Sequence, residues 1–267
     1  MTAPDARRPG RDTSDAPPTR SGPVTSATAI LERLRERAPG LCVLVDPERT
    51  DAADAGRLAA AAEAGGAAVM MVGTSFNGAE HTAAAAGAIR TACRLPLLLF
   101  PGSAAQLVAE VDAVLLLSLV SGRNPQYLIE EHVRAVPFFL RHEVPTISTA
   151  YILVDGGRVT AVESVSQTRP LPADKPEIAA AHAVAAGMIG MAAVYLDAGS
   201  GAARPVAPAV IRAVREAVRL PLFVGGGMTT PEQVCDAARA GADFLVVGSA
   251  IEGGGPAALR DLVAALR

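Results

Sequence analysis

The sequence predicts an α/β protein, a single (β/α)8 TIM barrel with a disordered N-terminal tail. Three observations carry that expectation. Short apolar runs alternate with Ala/Arg/Glu segments of helical period along most of the chain. The runs are almost continuously hydrophobic, as parallel strands covered on both faces must be. Glycine-bearing turns gather behind the last strands, where a barrel holds its phosphate site, and no G-x-G-x-x-G follows the first strand.

The tail comes first. Residues 1–24 hold Pro, Asp, Arg, Ser and Thr but no Leu, Ile or Phe. Such a segment cannot bury enough apolar surface to offset the entropy of ordering. The expected domains are therefore a tail over residues 1–25 and a barrel over 26–267. Strands are expected at Leu41–Val45, Ala67–Val72, Leu97–Phe100, Ala113–Leu117, Thr146–Val154, Ala192–Leu196, Leu222–Val224 and Phe244–Val247. Helices are expected at Ala52–Ala64, Ala79–Ala92, Ala104–Ala109, Pro125–Arg141, Pro176–Met188, Pro208–Arg219, Pro231–Ala240 and Pro256–Leu266. Several begin on Pro, whose fixed φ and missing N–H suit a first helical turn.

Composition excludes several functions. Net charge is −3 with no basic stripe, which argues against nucleic acid. No apolar run reaches the roughly 18 residues of a membrane span. Arg7–Arg8 is followed by no hydrophobic segment and is not read as a twin-arginine signal. Cys42, Cys93 and Cys235 form no CxxC and read as small buried hydrophobes in a reducing cytoplasm. Trp is absent and aromatics are 3%, so the core must be Ala, Val, Leu and Ile.

In a barrel the chemistry sits at the C-terminal ends of strands. Those positions read VDPER (Val45–Arg49), VGTS (Val72–Ser75), FPGS (Phe100–Ser103), SLVSGRNPQYL (Ser118–Leu128), YLDAGSGA (Tyr195–Ala202), VGGGM (Val224–Met228) and VVGSAIE (Val246–Glu252). Asp46 could hold a divalent cation, since Mg²⁺ takes one or two carboxylates plus phosphate oxygens and water. A helix cap or a loop salt bridge explains it equally well. Gly225–Gly227 and Gly248–Ser249 let backbone N–H groups approach an anion, and Gly199, Ser200 and Gly201 could close the same site. Asp197 would then face whatever the phosphate carries. His81, His132, His142 and His182 lie in or beside expected helices and read as surface or packing residues. The single lysine, Lys175, lies in a Pro-rich loop, which argues against a Schiff-base aldolase.

These motifs, together with TRPLPADKPEIAAAHA (Thr168–Ala183), stand in the order found in the geranylgeranylglyceryl phosphate synthase family, and the chain also resembles the bacterial heptaprenylglyceryl phosphate synthases. The resemblance covers about residues 28–266. It implies a cytoplasmic, lipid-biosynthetic prenyltransferase, often dimeric, that moves a polyprenyl group from its diphosphate to the 3-hydroxyl of sn-glycerol 1-phosphate with Mg²⁺. Carried over residue by residue, it makes Asp46 and Ser75 the metal positions. Tyr195, Leu196, Asp197, Ala198, Gly199, Ser200, Gly201, Gly226, Gly227, Gly248 and Ser249 become the glycerol phosphate site. Asp197 would orient or help deprotonate the acceptor hydroxyl, so Asp197 and Asp46 are the catalytic pair. A dry groove for the allylic cation would be lined by residues around Val114–Leu119 and by Met188–Ala193.

The chain departs from the family pattern in three places. Asp197 stands where Glu is usual, VGTS where VGGS is usual, and Arg49 where Lys is common. The shorter acid leaves the acceptor open. The chain also resembles, in its Ala/Arg-rich style, a relative from moenomycin-type antibiotic biosynthesis that prenylates 3-phosphoglycerate. An extra arginine would suit that acceptor's carboxylate, and Arg49, Arg123 and Arg204 lie near strand ends. Two further alternatives are a sugar-phosphate isomerase or aldolase on the same barrel and a non-catalytic phosphate binder. An apolar groove beside the phosphate site would favour the prenyltransferase, and a small closed polar pocket the isomerase.

Overall fold

The computed structural model describes residues 26–266, and the expected tail, residues 1–25, lies outside them. Among the described residues, eight parallel strands form a closed barrel in chain order. They are β1 (Gly40–Val45), β2 (Val69–Val72), β3 (Leu97–Leu99), β4 (Ala113–Leu119), β5 (Thr146–Leu153), β6 (Ala193–Asp197), β7 (Leu222–Gly225) and β8 (Phe244–Val247). Closure is made by β1 against β8, with Gly40 opposite Phe244 and Val43 opposite Val247. The helices are α1 (Ala27–Arg35), α2 (Ala52–Gly65), α3 (Ala79–Ala92), α4 (Glu131–Phe139), α5 (Ala161–Ser166), α6 (Pro176–Met188), α7 (Pro208–Ala217), α8 (Pro231–Arg239) and α9 (Ser249–Ala264).

Strand alternation divides the core into two layers. Cys42, Val69, Met71, Leu98, Leu115, Tyr151, Tyr195, Phe223 and Phe244 fill the barrel. Leu41, Val43, Met70, Leu97, Val114, Leu196 and Val224 face outward and meet the helices. The outer layer is closed largely by alanines, such as Ala55, Ala59 and Ala62 of α2 and Ala179, Ala183 and Ala186 of α6. Small side chains of high helix propensity let these helices lie close to the sheet. Caps fix their ends. Asp51 accepts the N–H of Asp54 at 2.8 Å, and Thr230 and Gln233 form a capping box on α8.

The structure corrects the expected elements in five places. α1, not expected, is capped by Ser26 and packs Ile30, Leu31 and Leu34 into the interior layer, stoppering the N-terminal mouth. α5, 6 residues long, is too short for its one apolar pair, Val162 and Val165, to stand out as a helical period. The last helix starts at Ser249, not Pro256, and is broken at Gly255, whose φ of 63° and ψ of −160° are not helical. Its first piece is glycine-rich, which hid it. After β3 the expected helix 104–109 is only a 3₁₀ turn, Ala104–Gln106. Residues 100–112 are too few to run back along the barrel as a helix and return, whereas the connections on either side exceed twenty residues. Gln106 ties the short loop down instead, accepting from Gly102 N–H at 2.8 Å and donating to Asn77 O at 2.7 Å. The helical layer is therefore open beside β3 and β4. The chain entering α4 also differs from expectation, since Gln126–Glu130 is a π-helical turn.

Candidate active site

A polar pocket lies at the C-terminal mouth of the barrel. It is lined by Asp46 and Arg49 after β1, Ser75 after β2, Tyr195, Asp197, Ser200 and Gly201 from β6 onward, Gly226 and Gly227 after β7, and Gly248 after β8. Nine of the expected site residues thus converge. Three do not line it. Leu196 is fully buried and points outward into the helix layer, because it alternates with the inward Tyr195 and Asp197. Ala198 is buried in the same outer layer, its N–H donated to Gly225 O at 3.1 Å. Gly199 serves the site through its N–H, which Asp197 Oδ1 accepts at 2.8 Å. The side chain of Ser249 lies outside the described residues.

Asp197 is the buried acid of the site, 6% exposed. Its second oxygen accepts a hydrogen bond from the Tyr151 hydroxyl. Burial raises its pKa above the ordinary carboxylate range, and the bonds from Tyr151 and Gly199 oppose that rise. The glycines behind it leave no room for a side chain. A Cβ on Gly226 would stand 2.6 Å from Asp197 Oδ1, and the residue has φ +81°. A Cβ on Gly225 would stand 2.3 Å from the Tyr195 hydroxyl.

Asp46 Oδ1 accepts from Glu48 N–H at 3.0 Å, and Arg49 Nε lies 3.7 Å from Oδ2. The loop salt bridge expected as the plain explanation for Asp46 is therefore present, the helix cap is not, because Asp51 caps α2, and Asp46 still faces the pocket. Among the described residues, no three His, Cys, Asp or Glu side chains form a metal-binding group. One carboxylate and a nearby hydroxyl suit a hard cation that keeps water and takes phosphate oxygens from a ligand, as Mg²⁺ does.

Beside the polar pocket, where the helical layer is open, runs an apolar groove open to solvent. Leu116, Leu117 and Leu119 of β4, Leu107 of the short connection and Tyr127 and Ala135 on the far side line it. Thr74, Ser75 and Phe100 line both cavities. Of the expected stretch on β4, Leu116, Leu117 and Leu119 thus line a groove. Met188–Ala193 is not part of it, because that loop precedes β6 and lies at the opposite mouth, with Met188 82% exposed. His132 was read as a surface or packing residue. It lines the groove, its Nε2 bonded to Leu117 O at 2.8 Å.

Sequence reasoning missed Thr74, Tyr151 and the groove face of α4. β5 was the one strand whose end carried no recognised motif, yet it supplies Tyr151. The available signals were strand alternation and the scarcity of aromatics. All three tyrosines line the two cavities, and Phe100 stacks on Tyr195 with centroids 4.8 Å apart. Of the two other arginines weighed for an acceptor, Arg123 donates to Gly122 O at 2.6 Å and Arg204 packs on Gly157, so neither lines the pocket.

Similarity to known proteins agrees with this geometry. The sequence matches the PcrB family over residues 32–266. It is 39% identical over 224 residues to a geranylgeranylglyceryl phosphate synthase of Chitinophaga pinensis, covering 84% of this chain and 89% of the relative. A synthase of the same name from Korarchaeum cryptofilum is 39% identical over 90% of this chain and 96% of its own length. Among solved structures, the (S)-3-O-geranylgeranylglyceryl phosphate synthase of Thermoplasma acidophilum in complex with its substrate sn-glycerol-1-phosphate superposes with a TM-score of 0.84. It is 29% identical and covers 90% of this chain and 98% of that one. A thiamine phosphate pyrophosphorylase from Pyrococcus furiosus, 16% identical with a TM-score of 0.59, shares the fold alone. On family match and relatives alike, the chain belongs to the PcrB family.

Proposed function

We propose that this protein transfers a polyprenyl group from its diphosphate to a hydroxyl of sn-glycerol 1-phosphate, forming an ether, with Mg²⁺ as the metal. The observation that carries the reading is a polar, glycine-lined pocket opening onto an apolar groove across shared residues. A sugar-phosphate isomerase needs no such groove.

The backbone N–H groups around Gly226, Gly227 and Gly248 would bind the acceptor phosphate, where the absence of side chains permits close approach. Asp197 would accept the hydrogen bond of the acceptor hydroxyl and take its proton as the carbon–oxygen bond forms. Its raised pKa suits a proton acceptor better than an exposed aspartate would. Asp46 and Ser75 would hold the metal, which when bound stabilises charge on the departing diphosphate. The groove would keep water from the allylic carbon while it carries positive charge.

Two finer points belong to the same reading. Ile129, Val133, Val136 and Leu140 form an exposed apolar stripe on the outer side of α4 and the turn before it, which supports a homodimer. The free thiols Cys42 and Cys93, both buried, support a cytoplasmic location.

The test offers radiolabelled geranylgeranyl diphosphate and Mg²⁺ with sn-glycerol 1-phosphate or with 3-phosphoglycerate, separately. Ether product with glycerol phosphate, lost on chelation, is the expected result. Product only with 3-phosphoglycerate would move the protein to the antibiotic-type reaction. No product with either would overturn the reading.

A further inference from the structure

Tyr151 touches both halves of the site. Its ring lines the apolar groove, and its hydroxyl donates to Asp197 in the polar pocket. The ring packs in a group of three, with centroids 5.9 Å from Phe100 and 5.5 Å from Tyr195. Phe100 lines both cavities and Tyr195 lines the polar one. The boundary between a charged pocket and an apolar groove is therefore an aromatic wall, built in a chain whose aromatics are only 3%.

The phenol hydroxyl has one proton to donate, and Asp197 Oδ2 takes it. Oδ1 accepts from Gly199 and keeps a lone pair for a ligand.

We infer that Tyr151 is a positioning residue that couples the two halves of the reaction, holding the Asp197 carboxylate through its hydroxyl and walling the groove against water with its ring. The inference rests on the prenyl-transfer reading. In that reaction the bond between the allylic carbon and diphosphate oxygen breaks, and the diphosphate leaves with the electron pair. The acceptor oxygen then bonds that carbon and its proton passes to Asp197. If water reaches the carbon first, the product is a prenyl alcohol and the acceptor is left unused. The Tyr151 hydroxyl acts on the first outcome by aiming the acceptor's partner. The ring acts on the second by filling the space between groove and pocket.

The two roles separate by substitution. Tyr151→Phe keeps the ring and removes the hydroxyl. Tyr151→Leu removes both. Measured quantities are ether formed and prenyl alcohol released, from geranylgeranyl diphosphate, Mg²⁺ and sn-glycerol 1-phosphate, with folding checked by thermal melting. Tyr151→Phe is expected to lower kcat for ether about 10- to 100-fold, the value of a hydrogen bond to a charged group, with the KM for prenyl diphosphate unchanged. Its alcohol-to-ether ratio should rise only in proportion to the slower ether step. Tyr151→Leu should raise the absolute rate of alcohol release as well, and Tyr151→Phe should restore it to the wild-type level. A merely structural tyrosine would lower both products together. Wild-type product ratio and kcat in both folded variants would overturn the inference. Failure of the wild-type protein to form either product would instead overturn the prenyl-transfer reading beneath it.

Discussion

The polar pocket and the apolar groove adjoin each other but are built in opposite ways. The pocket is made by what the chain puts at strand ends: Asp46, Ser75, Asp197 and the glycines of β6, β7 and β8. Each is a residue type whose chemistry is local, so each can be recognised one motif at a time. The groove is made by what the chain leaves out. The short connection 100–112 has no helix to cover β3 and β4, so leucines that would be covered elsewhere face an open channel. The lesson is that a polar site is written in residues, whereas an apolar one here is written in the length of a loop.

Asp46→Ala should lower turnover by about 10²- to 10³-fold, the size seen when a key charge-stabilising group is removed, while melting stays near wild type because Asp46 is a mouth residue. Full activity would remove Asp46 from the machinery and leave it as a turn residue. Next in size is Gly226→Ala. It forces a Cβ to within 2.6 Å of Asp197 Oδ1 and of Gly199 N, at a φ of +81°. A destabilisation of about 1–3 kcal/mol is expected in denaturant melts, with acceptor KM raised. An unchanged acceptor KM would mean the phosphate sits elsewhere.

The smallest effect concerns Asp197 itself and sharpens the contrast between a buried acid and the apolar groove beside it. Its folded pKa is raised by burial, so the folded protein holds that proton to higher pH than the unfolded chain does. The stability it contributes is full below the ordinary carboxylate pKa and is lost as pH rises through the raised value. Asp197→Asn cannot ionise. Wild type should therefore lose thermal stability relative to Asp197→Asn as pH rises across that window. A difference in melting temperature that is flat with pH would show that Asp197 is not held back from ionising.

Most of the barrel was legible because its strands are uninterrupted apolar runs, and β8 lies where its pattern says, at Phe244–Val247. α1 was missed because Ser26 caps it directly behind a polar segment, and its apolar residues Ile30, Leu31 and Leu34 are few. The site was legible where glycine or an acid ended a strand. It was not legible at Leu196 and Ala198, where a motif carried over whole ignores that alternate residues face opposite ways. Nor was it legible at Tyr151 and His132, which reach the site from β5 and α4 through packing that only the closed barrel creates. Arg49 lines the pocket beside Asp46.

The central claim is that the groove holds the prenyl chain while the pocket holds the acceptor. Ala135 is buried on α4, one turn beyond Glu131, and it lines the groove but not the polar pocket. The direct measurement is kcat/KM of Ala135→Phe for geranylgeranyl and for farnesyl diphosphate, with acceptor KM determined alongside. A loss confined to the longer donor is expected, about tenfold or more, with acceptor KM unchanged. Equal loss for both donors, or a shifted acceptor KM with donor preference intact, would contradict it.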